Sequence, residues 1–278
     1  MESRKRVTLG GIWRSLYPVL VYLCIQFAVS MICAFGIAIA AWAMYSGAGY
    51  ADLETYIMNR VAEETLTVLL ASMMVSIPVF GWLYYRDVQK KKQSGWSEEE
   101  FSLTEGRLLW TAVGCAALAM FCNGAISLLP LAQWSDSYEE VSETLYSGNV
   151  WIRIACVGLF GPVVEELVMR GLLYQRLRSM MKPGAAMFWS ALAFGIIHGN
   201  FVQGVYAFLV GLFFAWLMEY SHRILIPIAG HMAANLFVLL LEDCSLLEII
   251  YGSVPVFLTT TIASGIVFWC SVRIMKNA

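Results

Sequence analysis

Apolar runs of about membrane-spanning length follow one another along this chain, and they restrict what it can become. A bilayer core holds no water, so each backbone N–H and C=O there must be paired within the protein. Runs of about 20 apolar residues therefore fold as helices. Eight candidate spans are read at about 14–44, 64–85, 107–129, 149–176, 184–199, 202–220, 224–241 and 249–272. With 59% of its residues hydrophobic, the chain does not suit a soluble globular domain. The expectation is an all-α fold: a polytopic membrane helical bundle with about eight transmembrane helices, forming a single integral membrane domain over residues 1–278.

Basic residues orient the bundle. Arg4, Lys5, Arg6 and Arg14 precede or open the first span. Arg86, Lys90, Lys91, Lys92 and Arg107 flank the loop after the second. Arg176, Arg178 and Lys182 follow the fourth, Arg223 lies between the sixth and seventh, and Arg273 and Lys276 end the chain. All of these fall on one side of an eight-span arrangement. The other side holds Arg60 and Arg153 with acidic loops containing Asp52, Glu54, Asp136, Glu139, Glu140 and Glu143. The positive-inside rule then puts both termini in the cytoplasm. Residues 16–45 exceed the ~7–15 residues of a signal-peptide core, so they are read as an uncleaved first helix. The seven cysteines lack paired spacing and read as reduced core residues. No basic face suggests nucleic acid. The run Lys90–Lys92 reads as a topology determinant.

One cation, Arg170, lies inside a span. It belongs to a set of polar groups that a membrane interior does not hold without reason. The set is Glu165-Glu166-x-x-x-Arg170, Phe194-x-x-x-His198 and His231-x-x-x-Asn235, and it uses two of the chain's three histidines. At 1.5 Å per residue, Glu165 lies ~20 Å inward from Arg178, His198 ~24 Å from Lys182 and His231 ~14 Å from His222. All three depths fall inside a ~30 Å apolar core. Three helices can therefore bring them to one level.

Spacing divides the labour. Glu166 and Arg170, at i and i+4, can form an ion pair. Glu165, about 100° further round the helix, points elsewhere and is left as the free carboxylate. Such a group can take a proton from water. His198 can help hold that water. His231 and Asn235 share a face and offer N–H donors that could stabilise an oxyanion. Gly161-Pro162, one turn before the carboxylates, should bend the helix and open a pocket. Taken singly, each group has a plain reading: a packing histidine, a structural ion pair, a core phenylalanine, an interhelical asparagine. Their joint occurrence favours a site. Asn200 is a candidate pocket residue, Glu219 reads as a side chain snorkelling from a membrane edge, and His222 has no assigned role.

The ordered set resembles the CPBP family, the CAAX-protease and bacteriocin-processing (Abi) intramembrane proteases, and is similar to its Ras-converting prenyl-protein endopeptidases. The resemblance covers roughly residues 149–241. It leaves 1–148 as N-terminal helices without a recognised motif and 242–278 as the last helix. It implies an intramembrane glutamate endopeptidase that hydrolyses a peptide bond of a membrane-associated peptide or protein. By resemblance, Glu165 and His198 activate water, and His231 and Asn235 stabilise the oxyanion. Glu166, Arg170 and Phe194 support them. No cofactor is favoured. Zinc held by Glu165, His198 and His231 is the alternative, although no HExxH pattern is present. The expected partners are membrane lipids and a peptide or membrane-protein substrate, and the expected location is a bacterial plasma membrane.

Two other classes use the same residues. A non-enzymatic immunity or scaffold protein could keep the fold and bind a peptide, in which case function would survive Glu165→Gln. A proton-coupled transporter could use Glu, His and Arg as a relay, but the sequence has neither duplicated halves nor paired broken helices.

Overall fold

A computed structural model describes residues 7–44, 50–93, 104–129 and 148–277. Arg4, Lys5, Arg6 and the acidic run with Asp136, Glu139, Glu140 and Glu143 lie outside the described residues. Among those described, every regular element is a helix. In order they are α1 (Leu9–Met44), α2 (Tyr50–Glu63), α3 (Thr65–Gln93), α4 (Glu105–Ser127), a composite α5 (150–178), α6 (Pro183–Ile196), α7 (Phe201–Ser221), α8 (Leu225–Asp243), α9 (Leu246–Tyr251) and α10 (Val254–Asn277). Helices α1, α3, α4, α7, α8 and α10 are long and apolar enough to cross a membrane.

The protein is thus a helical membrane bundle, as expected, with differences at several expected spans. The segment read as an acidic loop contains α2. Leu53, Tyr56, Ile57, Arg60 and Val61 form its less exposed side at helical spacing, an amphipathic pattern too short and too polar for a span. The last long helix starts at Val254 rather than near 249, because α9 ends at Gly252. Helix α6 has 14 residues and rises only about 21 Å, short of a ~30 Å core.

Helix α5 is the centre of the bundle. Its stretch Leu167–Tyr174 is buried throughout, as expected for a helix that is apolar nearly all round. Helices α1 and α3 pack on it, as do α6, α7 and α8. Behind these, α4 packs against α8 and α10. Helices α6 and α7 form a tight hairpin, since a Cβ on Gly195 would stand 2.6 Å from the Gly204 carbonyl oxygen. The turn between them uses Gly199 at φ +77°. Asn200 then caps α7 by accepting from the Gln203 N–H at 2.8 Å.

Charged residues fasten the helix ends. Arg176 donates to Asp87 at 2.7 Å and to the Arg14 carbonyl at 2.5 Å, joining α5 to α3 and α1. Glu219 accepts from Tyr174 at 2.6 Å and from Arg178 at 2.9 Å, joining α7 to α5. Lys90, Lys91 and Lys92 occupy the last turn of α3, where the helix dipole favours cations. At the opposite end of α5, Arg153 pairs with Asp243 of α8.

Candidate active site

The backbone under the carboxylates is not plain α-helix. Helix α5 alternates: Val150–Arg153 is α, Ile154–Phe160 is π, Gly161–Glu166 is α, Leu167–Tyr174 is π and Gln175–Arg178 is α. Isolated π turns within α-helices often mark functional sites. Here the sequence supplies a cause. The Gly161 N–H bonds to the Cys156 carbonyl, five residues back, and Pro162 has no N–H to give. Neither the α nor the π register can therefore serve the Val157 carbonyl. The Asn235 side chain does so instead, with Nδ2 donating at 2.9 Å. The expected proline bend is realised as a change of helical register, with its freed carbonyl capped from α8.

Glu166 and Arg170 form the expected ion pair, Nη1 to Oε1 at 2.9 Å, and both side chains are 0% exposed. The arginine has further partners. Its Nη2 donates to the Gly211 carbonyl at 2.8 Å. Its guanidinium lies 4.5 Å from the Phe194 ring centre and 5.5 Å from that of Phe214. Gly211 permits this approach, because a Cβ there would stand 2.9 Å from Nη2. The charge is thus paired, hydrogen-bonded and stacked, which a buried ion requires.

His231 joins the two carboxylates. Its Nδ1 lies 3.0 Å from Glu166 Oε1, and its Nε2 lies 3.8 Å from Glu165 Oε2. A buried carboxylate paired with arginine accepts, so Nδ1 is assigned as the N–H donor. The imidazole stacks on Phe214 at 4.7 Å and meets the edge of Phe194 at 5.8 Å. Glu165 keeps 19% of its side chain exposed, in contrast to its neighbour. A chain of contacts therefore runs Arg170–Glu166–His231–Glu165.

His198 lies beyond the end of α6, in the turn to α7, rather than on the helix face with Phe194. It remains attached to that residue. Its Nδ1 is 2.7 Å from the Phe194 carbonyl, and its ring meets the Phe194 ring at 4.8 Å and 87°. A carbonyl only accepts, so Nδ1 carries the proton and Nε2 is the basic nitrogen. Phe194 is the common floor of Arg170, His198 and His231.

The structure thus brings Glu165, Glu166, Arg170, Phe194 and His231 into one cluster, with His198 held beside it through Phe194. Asn235 lies one turn from His231, but one amide proton is committed to Val157. His222 caps α7 in a left-handed conformation, and Glu219 belongs to the helix-end network. The sequence reading missed Phe214 and Gly211. Both sit in the uniformly apolar α7, where nothing local distinguishes them. Among the described residues, no three His, Cys, Asp or Glu side chains are grouped to hold a metal ion. Glu165, His198 and His231 as placed do not fit a zinc site. An apolar groove of about 620 Å³ lies between α4, α8 and α10, lined by Ala112, Ala116, Ala233, Phe237 and Val267. It is on another face of α8 from His231 and takes no part in this cluster.

Comparison with known proteins gives matches to the same part of the chain. Residues 147–237 match the family model described as Type II CAAX prenyl endopeptidase Rce1-like. That segment is similar to the Rce1-like family. The matched segment contains every residue of the cluster and runs from α5 into α8. Over 231 residues the chain is 22% identical to "Putative membrane peptidase YdiL" of Bacillus subtilis (strain 168), covering 81% of this chain and 88% of that protein. Over 238 residues it is 23% identical to "Membrane-embedded CAAX protease MroQ" of Staphylococcus aureus (strain USA300), covering 83% and 90%. No solved structure gives a match.

Proposed function

We propose that this integral membrane protein is an endopeptidase that hydrolyses a peptide bond of a membrane-associated peptide or protein. The observation that carries the reading is the partly open Glu165 facing His231, whose far nitrogen is held by the buried Glu166–Arg170 pair. In the proposed reaction Glu165, assisted by His198 Nε2, takes a proton from water. The water oxygen forms a bond to the substrate carbonyl carbon. Doubly protonated His231 donates from Nε2 to the resulting oxyanion, with the second amide proton of Asn235 as its companion donor. The C–N bond breaks as Glu165 returns the proton to the leaving amine. Glu166 fixes the orientation of His231 through Nδ1, as the buried aspartate does in a serine-protease triad.

The proposed reaction uses no metal. Full loss of activity on chelation, restored by zinc alone, would overturn that part. The substrate approaches from lipid or from the cytoplasmic face, and the host membrane is taken to be a bacterial plasma membrane with both termini in the cytoplasm. The test is peptidomics on membranes carrying wild type or Glu165→Gln at matched expression. New peptide termini only with the wild type are expected. Identical termini, with the cellular phenotype kept by the mutant, would replace hydrolysis with a binding or immunity role.

A further inference from the structure

Buried hydroxyls in the long helices of this protein mostly serve their own backbone. Ser15, Thr111, Ser221 and Ser271 each donate to the carbonyl four residues earlier, at 2.7–2.9 Å. Such a back-bond is a common arrangement for a serine or threonine inside a helix. Ser190 of α6 departs from it. Its Oγ donates across to the Met169 carbonyl of α5 at 2.9 Å, and both residues are 0% exposed. A hydroxyl has one proton to give, so the link to α5 is made in place of a back-bond within α6.

Both ends of this bond adjoin the cluster. Met169 lies in the second π stretch of α5, next to Arg170. Ser190 stands one turn before Phe194 on α6, and the Arg170 guanidinium lies 4.5 Å from the Phe194 ring centre. Helices α5 and α6 are thus joined at two neighbouring points. Ring packing tolerates some sliding, but a hydrogen bond weakens steeply when its distance and angle change. The Ser190 bond therefore fixes how far α6 is advanced along α5. His198 depends on that setting. It lies past the end of α6 and is held through Phe194, whose carbonyl accepts from Nδ1 at 2.7 Å. A slide of α6 carries Phe194 and His198 with it, while Glu165 stays with α5.

We infer that Ser190 is a positioning residue: its hydroxyl sets the advance of α6 along α5, and so the placing of His198 relative to Glu165. This rests on the hydrolase reading above and adds to it a residue outside the proposed reacting groups, one that acts through Phe194 and His198. It also gives a use to the short α6, whose polar link to α5 lies one turn before the residue that carries His198.

Two measurements test it. Ser190→Ala removes the hydroxyl and little volume. It should lower kcat about fivefold with KM unchanged, the rate equivalent of one hydrogen bond; an unchanged kcat, or a change in KM alone, overturns the proposal. The second is nitrogen NMR of protein carrying isotope-labelled histidine in detergent, which needs no substrate. His198→Gln identifies the His198 ring signals. Ser190→Ala should displace those signals and leave the signals of His222, which caps α7, in place. His198 signals that keep their wild-type positions overturn the proposal, and so does an equal displacement of His222, which marks a general loosening. If wild type hydrolyses nothing, the hydrolase reading falls and the NMR measurement alone decides whether Ser190 places His198. If Ser190→Ala does not fold, Ser190→Cys, which keeps the shape with a weaker donor, replaces it in both measurements, with a fall in kcat of about twofold expected on the same hydrogen-bond scale.

Discussion

The Glu166–Arg170 pair carries two separable duties. As a buried ion pair it must stay intact, because removing one partner strands the other charge. Arg170→Met is expected to cost about 3–5 kcal/mol of stability, read from denaturant or thermal unfolding in detergent. By contrast, the Arg60 contacts with Glu63 and Glu64 are exposed on the surface, so Arg60→Ala should leave the same measurement unchanged within error. The second duty is to hold His231. Glu166→Gln preserves shape but offers Nδ1 a neutral amide in place of a carboxylate. Its kcat should fall by at least about a hundredfold, while far-ultraviolet circular dichroism stays that of the wild type. A kcat near the wild-type value would remove Glu166 from the proposed machinery.

At the scale of the element, one missing donor marks the first π stretch of α5. Pro162 and the Gly161–Cys156 bond leave the Val157 carbonyl to Asn235. Asn235→Leu should therefore destabilise by about 1–3 kcal/mol through an unmet carbonyl. In a Pro162→Ala background a main-chain N–H becomes available, and the same substitution should cost measurably less. Equal costs in both backgrounds would mean that the proline does not create the need for Asn235. The Asn235 bond also explains how a long departure from the α register persists in a membrane helix: its freed backbone group is buried in protein and paired, not exposed to lipid.

For the whole molecule, the helix ends form two charged rims. One rim gathers Arg14, Asp87, Arg176, Arg178, Glu219 and the lysines that end α3, and the other has Arg153 with Asp243. If the chain crosses the membrane an even number of times, as proposed, both ends lie on the side of the lysine-rich rim. Cleavable tags on the two termini, assayed with an impermeant protease in sealed vesicles, should respond alike. Opposite responses would require an odd number of crossings and would invalidate the orientation drawn from the basic residues.

Local periodicity determined a good part of this protein. Apolar run length led to the helices, and the i, i+4 step paired Glu166 with Arg170 while turning Glu165 away. The order of three short motifs was enough to indicate the resemblance that the match over residues 147–237 repeats. Those features depend on residues a few positions apart, so the sequence contains them directly. Tertiary structure decided the rest. The carbonyl freed at the first π stretch of α5 is met only because Asn235, far along the chain, reaches it. Placement of His198 in a turn depends on the close α6–α7 hairpin at Gly195 and Gly204. The second and third partners of Arg170, at Gly211 and Phe214, lie on a helix whose uniform apolarity hides which face is turned inward. In a membrane, lipid-facing and core-facing side chains are alike in hydrophobicity. Polarity cannot separate them there, and only the packing of one helix on another reveals which residues meet.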